Sequence, residues 1–517
     1  GSKDQEILSR SGDDLRIEWG YMYLVSPDSK KSESSMQDAG RTWNSFIKDG
    51  KLPEDDNLDM PRSINNGAPV LSFAYDLGKV GQSPVKNFLV MAYDDQYSIE
   101  YFHRRLQPYW KTVYASTEDM LKKVVNEYSS IIDKCNAFDN ELTTDLKTTG
   151  GEEYSNLCAL AYRQAIAAHK LAVDLDGTLM FFPKENYSNG CISTVDVIYP
   201  ASPLLMLLNT KLLKATLEPV LQYSAMKRWK FDFAPHDVGQ YPLANGQVYG
   251  GGEVSAKDQM PVEESGNMII LAYAVAYSEK SPEYALKYWP QLEKWARYLL
   301  EKGLDPENQL CTDDFAGHLA HNVNLSIKAI EALGSFSKLC QMAGKKSLAK
   351  EFWNAAEKYA KQWEKMADDG DHYRLAFDKP GTWSQKYNLL WDKLLDINLF
   401  PEKIVKKEIN YYKTKMNDFG LPLDNRATYT KLDWSVWTAT LADNKADFET
   451  IFSKTYGFLS KTQPRVPMTD WYSTTDANKI GFQARSVVGG VFTKILADKA
   501  IWKKWLDKNK EEMTEKK

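Results

Sequence analysis

The feature that most constrains the fold is an alternation between short and long connections among helical segments from residue 117 onward. Apolar spacing in this region predicts a linker helix over 117–147, followed by six helix pairs. The pairs are 154–172 with 202–215, 217–229 with 264–277, 282–303 with 321–342, 345–367 with 385–397, 401–415 with 431–442, and 446–459 with 482–498. The boundary between the predicted helices 202–215 and 217–229 is placed at residue 216 partly because it preserves the alternation of short and long connections.

The connections inside the pairs are long, whereas those between pairs are short. The six long loops are 173–201, 230–263, 304–320, 368–384, 416–430 and 460–481. Two antiparallel rings of six helices would place all of these loops at one end, around the N-termini of the inner helices. Because long loops in compact domains are usually functional, the pattern predicts a mainly α chain, an (α/α)6 toroid with one shared funnel.

The N-terminal region has a different pattern, with strand candidates at 15–25, 68–77 and 87–93 and shorter helical segments at 35–48 and 97–110. Three strands make a poor independent sheet, so this small β-containing region is expected either to pack against the rest of the chain or to be the end of a larger β-domain, a β-sandwich. The expected organisation is a β-leaning region at 1–113, a linker helix at 114–150, the toroid at 151–505 and a charged tail at 506–517.

Composition excludes several classes of protein. The net charge is −5 and no basic stripe is present, so a nucleic-acid partner is not expected. No apolar run reaches 18 residues, so no membrane span is expected. The five cysteines contain no CxxC pair, which indicates neither a disulfide framework nor a zinc site. The 15 Trp and 29 Tyr fit carbohydrate stacking and a large helical core equally well.

Carboxylates recur in the long loops, and they are densest between residues 230 and 267. Hydrolysis of an amide or a glycosidic bond needs a proton donor and a group that activates water or attacks, and two carboxylates with separated pKa values supply both. Each could instead be a helix N-cap or one half of a structural ion pair. The catalytic candidates are Asp237, Glu263, Glu264, Asp314, Asp433 and Asp470.

Aromatic, amide and cationic side chains in the same loops are the candidates for substrate binding. His318 and His321 with Asp313 or Asp314 form only a loose metal set that matches no strong zinc signature, so neither a metal nor a cofactor is expected. The substrate-binding candidates are His236, Tyr241, Asn267, Asp313, His318, Trp383, Arg426, Trp434 and Trp471.

Several stretches resemble the fungal-type glutaminase A family, which occurs in fungi and in gut-type Bacteroidetes. They are WGYMYL at 19–24, AYDD at 92–95, YSIEYF at 97–102, PHDVGQYP at 235–242, MPVEESGN at 260–267 and TDDF at 312–315. The resemblance implies a six-hairpin glycosidase-like toroid that follows a larger β-domain. It also implies hydrolysis of the side-chain amide of L-glutamine to glutamate and ammonia, and an exported protein, periplasmic or secreted. Gly1 and Ser2 look like an expression scar, so a leader is expected to have been removed.

The residues by themselves favour carboxylate-driven glycoside hydrolysis at the same site, so three hypotheses remain open. They are a glutaminase A-type hydrolase, a glycoside hydrolase and a glycan-binding protein without catalysis. A small closed cavity with Arg426 or Arg485 would favour an amino acid, and an open groove lined by Trp383, Trp434 and Trp471 would favour a sugar. Absence of a carboxylate pair within about 5–10 Å would favour binding alone. In either catalytic case the partner is a small-molecule substrate.

Overall fold

The computed structural model describes residues 5–27, 31–60, 62–311, 313–464 and 466–514, and it divides the chain into two compact units. The first unit comprises 1–9, 15–98 and 107–138; the second comprises 10–14, 99–106 and 139–517. This division differs from the expected β-leaning region at 1–113, because 99–106 belongs to the second unit and the start of the long helix belongs to the first.

The first unit contains two antiparallel strand pairs and one amphipathic helix. Its elements are β1 (Tyr21–Val25), β2 (Ser32–Asp38), α1 (Ala39–Asp49), β3 (Pro69–Tyr75) and β4 (Val90–Asp94). Strand β1 pairs with β4, and β2 pairs with β3. The three predicted strands are therefore present, but the predicted helix at 35–48 begins as β2 and becomes helical only at Ala39.

The predicted helix at 97–110 is wrong, because this segment forms a β-hairpin of β5 (Ile99–Tyr101) and β6 (Arg104–Pro108). Ile99, Tyr101 and Leu106 are fully buried at alternating positions, which is the period of a strand. Phe102 and His103 make the turn with φ of 44° and 62°, as a two-residue hairpin requires.

The second unit contains the expected alternation of buried and half-exposed helices. The half-exposed helices are the C-terminal part of α2 (Thr117–Ala167), α6 (Glu283–Lys287) with α7 (Trp289–Lys302), α9 (Lys346–Ala367), α11 (Glu402–Lys413) and α13 (Lys445–Lys461), whereas α4 (Thr210–Ser224) is mostly buried. The buried helices are α3 (Val195–Leu208), α5 (Pro261–Glu279), α8 (Val323–Met342), α10 (Leu390–Leu394), α12 (Leu432–Leu441) and α14 (Thr493–Ala497). Short 3-10 helices, Tyr387–Leu389 and Ser486–Phe492, precede α10 and α14, and α15 (Lys499–Thr514) follows.

The buried helices form a closed ring. Helix α3 packs on α5, α5 on α8, and α8 on the turn before α10; that turn packs on α12, and α12 and α3 both pack on the turn before α14. Helices α9 and α11 bury only one face, as their amphipathic sequences predict. The mainly α, (α/α)6 toroid is thus confirmed.

The first predicted helix pair has different boundaries in the structure. Helix α2 has a non-helical residue at Gly151 and ends at Ala167; a hairpin of β7 (His169–Val173) and β8 (Leu179–Pro183) follows. Helix α3 begins at Val195 instead of residue 202 and contains Pro200 and Pro203. Its end is set by Asn209, whose side chain accepts a hydrogen bond from the N–H of Leu212 and caps α4.

Two small sheets and the C-terminal helix complete this unit. Strands β8, β7, β6, β5 and β9 (Leu243–Ala244) form one sheet, and β10 (Tyr429–Lys431), β11 (Trp471–Ser473) and β12 (Lys479–Gly481) form the other. The expected charged tail from 506 continues helix α15 as far as Thr514, and 515–517 lie outside the described residues. Across the described ranges, no helix is both long and apolar enough to cross a membrane.

Candidate active site

The six long loops lie at the N-termini of the buried helices, and we call them together the loop face. Isolated β-bridges and one small sheet connect neighbouring loops. The links are Cys191 to Gln240, Asn322 to Ala376, Ser384 to Asp424, and the sheet of β10, β11 and β12. Side chains from separate loops are therefore held in fixed relation to one another.

Asp237 holds the second loop in shape. It is fully buried, and its Oδ1 accepts hydrogen bonds from the backbone N–H groups of Gly239 at 2.9 Å and Val248 at 3.1 Å. Its Oδ2 accepts from the N–H of Tyr249 at 3.2 Å and lies 3.0 Å from Nδ1 of His236. Because these contacts occupy both oxygens, Asp237 is placed to hold the loop backbone and the His236 ring in position.

His236 connects Asp237 to two buried carboxylates of the first loop and α3. One donor atom from each of Glu185, Asp196 and His236 lies within 4.8 Å of the other two, and Nε2 of His236 is 3.6 Å from Oδ1 of Asp196. Burial acts to lower the pKa of His236, but the hydrogen bond to Asp237 and the charge of Asp196 outweigh it and raise the pKa to about 10. For Asp196, in contrast, burial raises the pKa to about 7, although the charge of His236 acts to lower it. Two carboxylates thus meet beside a buried imidazole.

Glu263 and Glu264, in the first turn of α5, have different surroundings. Glu263 pairs with the buried Lys328 of α8, and Asn267 donates from its Nδ2 to both Glu263 Oε1 at 3.0 Å and Glu264 Oε2 at 3.1 Å. Burial and the charge of Asp196 raise the pKa of Glu264 well above its ordinary value. Glu263 is therefore one half of a structural ion pair, whereas Glu264 is suited to hold a proton at neutral pH.

Asp314 and Tyr249 lie beside the same group. Asp314 is half-buried, and burial together with the charge of Glu185 raises its pKa. Burial raises the pKa of Tyr249 as well, with further contributions from Asp314 and Asp196. The ring of Tyr249 stacks on His236 at a centroid distance of 3.9 Å. The second and third long loops therefore contribute to one site with the first.

A second group of buried charges comes from the fifth and sixth loops. Arg485 places Nη2 at 2.6 Å from Oδ2 of Asp470 and Nη1 at 3.5 Å from Oε1 of Glu185. The Nζ of Lys431 lies 3.2 Å from Asp433 and 3.5 Å from Asp470. Glu185 thereby joins this group to the Asp196 group.

The two aspartates of this second group differ in ionisation. Burial acts to raise the pKa of Asp470, but Arg485 and Lys431 outweigh it, so the pKa is lowered. For Asp433, burial dominates and raises the pKa to about 6 despite Lys431. Asp470 thus serves as a fixed counter-ion for Arg485, while Asp433 is buried in the first turn of α12.

Asp313 lies in a separate polar pocket. Its Oδ2 accepts from the hydroxyl of Tyr387 at 2.8 Å and its Oδ1 accepts from Nε1 of Trp434 at 3.0 Å, and these two rings stack at 4.0 Å. Burial raises the pKa of Asp313 to about 7. The adjoining cavity is also lined by Arg426 and Asp424.

The remaining binding candidates are dispersed. Tyr241 is buried with Lys184 over its ring, His318 is on the surface 3.7 Å from Asp258, and Trp383 is buried against Tyr411 and Tyr412. Arg426 forms a bidentate pair with Asp424, and Trp471 packs with Phe315, Tyr429 and Phe482. Trp434 is fully buried, so an open groove lined by Trp383, Trp434 and Trp471 is not formed. Arg426 and Arg485 are both already paired with aspartates.

The sequence reasoning missed Glu185 and Asp196 as site residues. Asp196 falls in the predicted loop 173–201, because the helix is expected to begin only at residue 202. The available signal was its place after Ser193 and Thr194, a common start for a helix, with an acidic residue in the first turn. Glu185 follows the apolar strand β8 and gave no distinct signal of its own.

Unpartnered oxygens mark the centre of the site. Buried polar atoms should have hydrogen-bond partners, and each exception needs an explanation. Among the described residues, the oxygens of this group that have none are Glu185 Oε2, Ser193 Oγ, Thr194 Oγ1, Asp196 Oδ1, Glu264 Oε1 and Asn267 Oδ1. They converge from the first loop, α3 and α5, so a ligand placed here would meet several free acceptors at once.

Comparison with known proteins assigns the chain to a family. Residues 151–495 match the model of the glutaminase A six helical-hairpin domain, and residues 1–145 match a domain of unknown function, DUF5127. The chain is 32% identical to glutaminase A of Aspergillus oryzae over 93% of its own length and 70% of that protein. It is 26% identical to a protein named probable glutaminase from Arthroderma benhamiae, over 96% of the chain and 68% of that protein.

A solved glycosidase structure shares the fold. It superposes with a TM-score of 0.51 at 12% sequence identity, covering 67% of this chain and 97% of the other. At this identity the likeness concerns architecture alone. Taken with the family match and the relative from Aspergillus, these findings show that the chain belongs to the glutaminase A six helical-hairpin family and is a hydrolase.

Proposed function

We propose that this protein hydrolyses the side-chain amide of L-glutamine to glutamate and ammonia at the group formed by Glu185, Asp196, His236 and Glu264. The observation that carries the proposal is the approach of Glu185 and Asp196 to within 4.8 Å, with unpartnered buried oxygens on both and on Glu264. The substrate is taken from the relative of Aspergillus oryzae, which is named glutaminase A.

The three carboxylates divide the work of amide hydrolysis. The Glu185–Asp196 pair activates a water molecule and accepts its proton as the oxygen attacks the amide carbon. Glu264, kept protonated by burial, then gives its proton to the nitrogen as the C–N bond breaks, and ammonia leaves. Because Glu264 is held by Asn267 through Oε2, its free Oε1 is the oxygen directed toward the substrate.

The enclosure of the group supports a small substrate. Glu185, Asp196, His236 and Glu264 each have less than a tenth of their surface exposed. A glutamine side chain fits such a site better than a long glycan does, because the glycan needs an extended open groove. We propose further that the protein acts outside the cytoplasm, in the periplasm or after secretion, as the family resemblance implies.

Glycoside hydrolysis at the same carboxylates is the second candidate. Retaining glycosidases use two carboxyl groups about 5–5.5 Å apart, and Glu185 and Asp196 are likewise two neighbouring carboxylates, with one oxygen of each within 4.8 Å of the other. The toroid shared with a solved glycosidase also allows it. In that case Asp196 or Glu185 would be the nucleophile, and the product would be a sugar.

One assay separates the two candidates. Ammonia release from L-glutamine is measured beside a panel of aryl glycosides, for the wild type and for Glu264→Gln, Asp196→Asn and Glu185→Gln. We expect ammonia release that falls at least about 100-fold in each variant, since general acid–base catalysis contributes about 100- to 10,000-fold. The matched control is Glu331→Gln, which changes a buried carboxylate of α8 whose raised pKa reflects burial and Asp392.

The outcome decides the substrate and the site separately. If the protein releases a sugar from an aryl glycoside but no ammonia from glutamine, the bond that it hydrolyses is glycosidic and the proposed amide substrate is wrong. Full activity in all three site variants would place the chemistry elsewhere on the loop face.

A further inference from the structure

We propose that Glu185, Asp196 and His236 bind a divalent transition metal ion, zinc or manganese. This differs from the metal-free site expected from the sequence, where the loose metal set consisted of His318 and His321 with Asp313 or Asp314. The inference rests on the proposed function only for the role of the ion, since binding itself is measured without a substrate.

The three donor atoms have the separation that a metal needs. Carboxylate oxygens and imidazole nitrogens bind zinc at about 2.0–2.2 Å, which places two ligands of one ion about 3–4.4 Å apart. Here the three atoms all lie within 4.8 Å of one another, and Nε2 of His236 is 3.6 Å from Oδ1 of Asp196. Small side-chain rotations would therefore complete a three-ligand face.

One oxygen of each carboxylate also lacks a hydrogen-bond partner. Oε2 of Glu185 and Oδ1 of Asp196 accept no hydrogen bond from any described residue, although the two side chains are 5% and 8% exposed. An unpartnered buried carboxylate oxygen is costly, and a bound cation would satisfy both oxygens at once.

His236 is oriented as a metal ligand. Metal-binding histidines usually donate their second ring N–H to a carboxylate, which fixes the ring. Nδ1 of His236 lies 3.0 Å from Asp237, whose oxygens are themselves held by the N–H groups of Gly239, Val248 and Tyr249. This arrangement leaves Nε2 directed at Asp196, where a bound ion would take the place of the Nε2 proton.

Further carboxyl groups surround the three ligands. Glu264 and Asp314 lie near them, and the nearby Arg485, whose Nη1 is 3.5 Å from Oε1 of Glu185, is held more closely by Asp470 at 2.6 Å. Cys191 lies beside His236 and Asp237 and is outside the group of Glu185, Asp196 and His236. The donor set is thus two oxygens and one nitrogen, which suits zinc or manganese.

In the proposed reaction the ion would polarise the attacking water, as metal ions do in many hydrolases. The second oxygen of Asp196 would accept the proton of that water. Glu264 would keep its role as the proton donor to the leaving nitrogen.

The experiment measures binding to the full chain after treatment with a chelator. Titration calorimetry with zinc chloride and with manganese chloride, supported by elemental analysis, should give one ion per chain. Glu185→Gln and Asp196→Asn should each weaken binding at least about 10-fold, and Asp237→Asn about 10- to 100-fold, as for other residues that orient a ligand. The control is Asp305→Asn, which alters a surface carboxylate 2.7 Å from Nδ1 of His321.

A second measurement needs no variant. Cobalt bound to the wild type should show d–d bands without a thiolate charge-transfer band. A thiolate band would assign the ion to Cys191 and overturn the proposed ligand set. Absence of stoichiometric binding, or equal affinity in the wild type and in the Glu185 and Asp196 variants, would overturn the site itself.

The outcomes also separate this inference from the proposed function. If the chelated enzyme binds no added ion and still releases ammonia from glutamine, the metal site is wrong and the function stands. If the ion binds but glutamine is not hydrolysed, the metal site stands and the substrate is wrong.

Discussion

Nε2 of His236 lies 3.6 Å from Oδ1 of Asp196, although the two residues are 40 positions apart in the chain. The contact joins the second long loop to the first turn of α3. The position of the His236 ring depends on Asp237, which holds the ring from the opposite side. Positioning and chemistry are therefore carried by adjacent residues of one loop.

Replacing Asp237 by Asn should destabilise the fold as well as the site. The substitution puts an NH2 group where one oxygen accepts backbone hydrogen bonds, so at least one buried N–H loses its acceptor. We expect a loss of about 1–3 kcal/mol in the free energy of unfolding. Urea denaturation measures it, and Asp232→Asn, at an exposed position of the same loop, is the control. An unchanged urea midpoint in Asp237→Asn would contradict the positioning role.

The toroid could be predicted because it depends on repeated patterns. Helices such as α9, with buried Phe352, Ala356 and Trp363 on one face, carry the period of 3.6 residues, and the alternation of connection lengths sets their order. The hairpin at 99–108 was missed because its short strands contain aromatic and charged residues at spacings that also fit a helix turn. Burial of Ile99 and Leu106 in the folded chain stabilises the strands instead of a helix.

The candidate site could be predicted only as a region. The sequence shows that Glu263 and Glu264 are adjacent in one helix turn, but it does not show that Lys328, on α8, pairs with the first and not with the second. It likewise does not show that Arg485 bridges Asp470 and Glu185. Such roles depend on contacts between distant loops, which no local pattern records.

Lys328→Met should strongly destabilise the toroid. Lys328 is fully buried and paired with Glu263, and a Cβ at Gly266 would lie only 2.8 Å from its Cγ, so the lysine stem is tightly packed against α5. Breaking a buried pair by removing one partner costs about 3–5 kcal/mol, because the other charge is left unpaired. Chemical denaturation should show this loss.

The double variant Lys328→Met with Glu263→Gln is the test of that explanation. Removing the second charge should recover part of the loss, as expected for coupled residues. If the double variant loses as much free energy of unfolding as the two single variants together, or more, then packing and not charge sets the cost.

Arg485→Lys should reduce activity more than stability. Lysine keeps the charge beside Asp470 but cannot reach both Asp470 and Glu185 with a planar fork. Glu185 should then lose its orientation toward Asp196, and we expect kcat/KM to fall at least about 10-fold, equivalent to about 1.4 kcal/mol of transition-state stabilisation. Steady-state kinetics and thermal denaturation are measured together, with Arg297→Lys on the surface as control. Equal kcat/KM in the variant and the wild type would remove Arg485 from the site.

Asp313→Asn should stabilise the protein in a pH-dependent way. The pKa of Asp313 is raised from 3.8 to about 7 in the folded protein, mainly by burial. Between these values the unfolded chain releases the proton while the folded chain retains it, so this carboxyl costs stability that grows as pH rises from about 4 to about 7. Below pH 4 the acid is protonated in both states and the cost vanishes.

Asparagine removes this titration and preserves the local hydrogen bonds, because its Oδ1 accepts from Trp434 and its NH2 group donates to the hydroxyl of Tyr387. We expect the free energy of unfolding of the variant to exceed that of the wild type by on the order of 1–3 kcal/mol at pH 8 and to equal it at pH 4. Urea midpoints at pH 4, 6 and 8 measure the difference. A stability difference that is the same at all three pH values would show that Asp313 keeps an ordinary pKa in the fold, and that its hydrogen bonds alone determine its contribution.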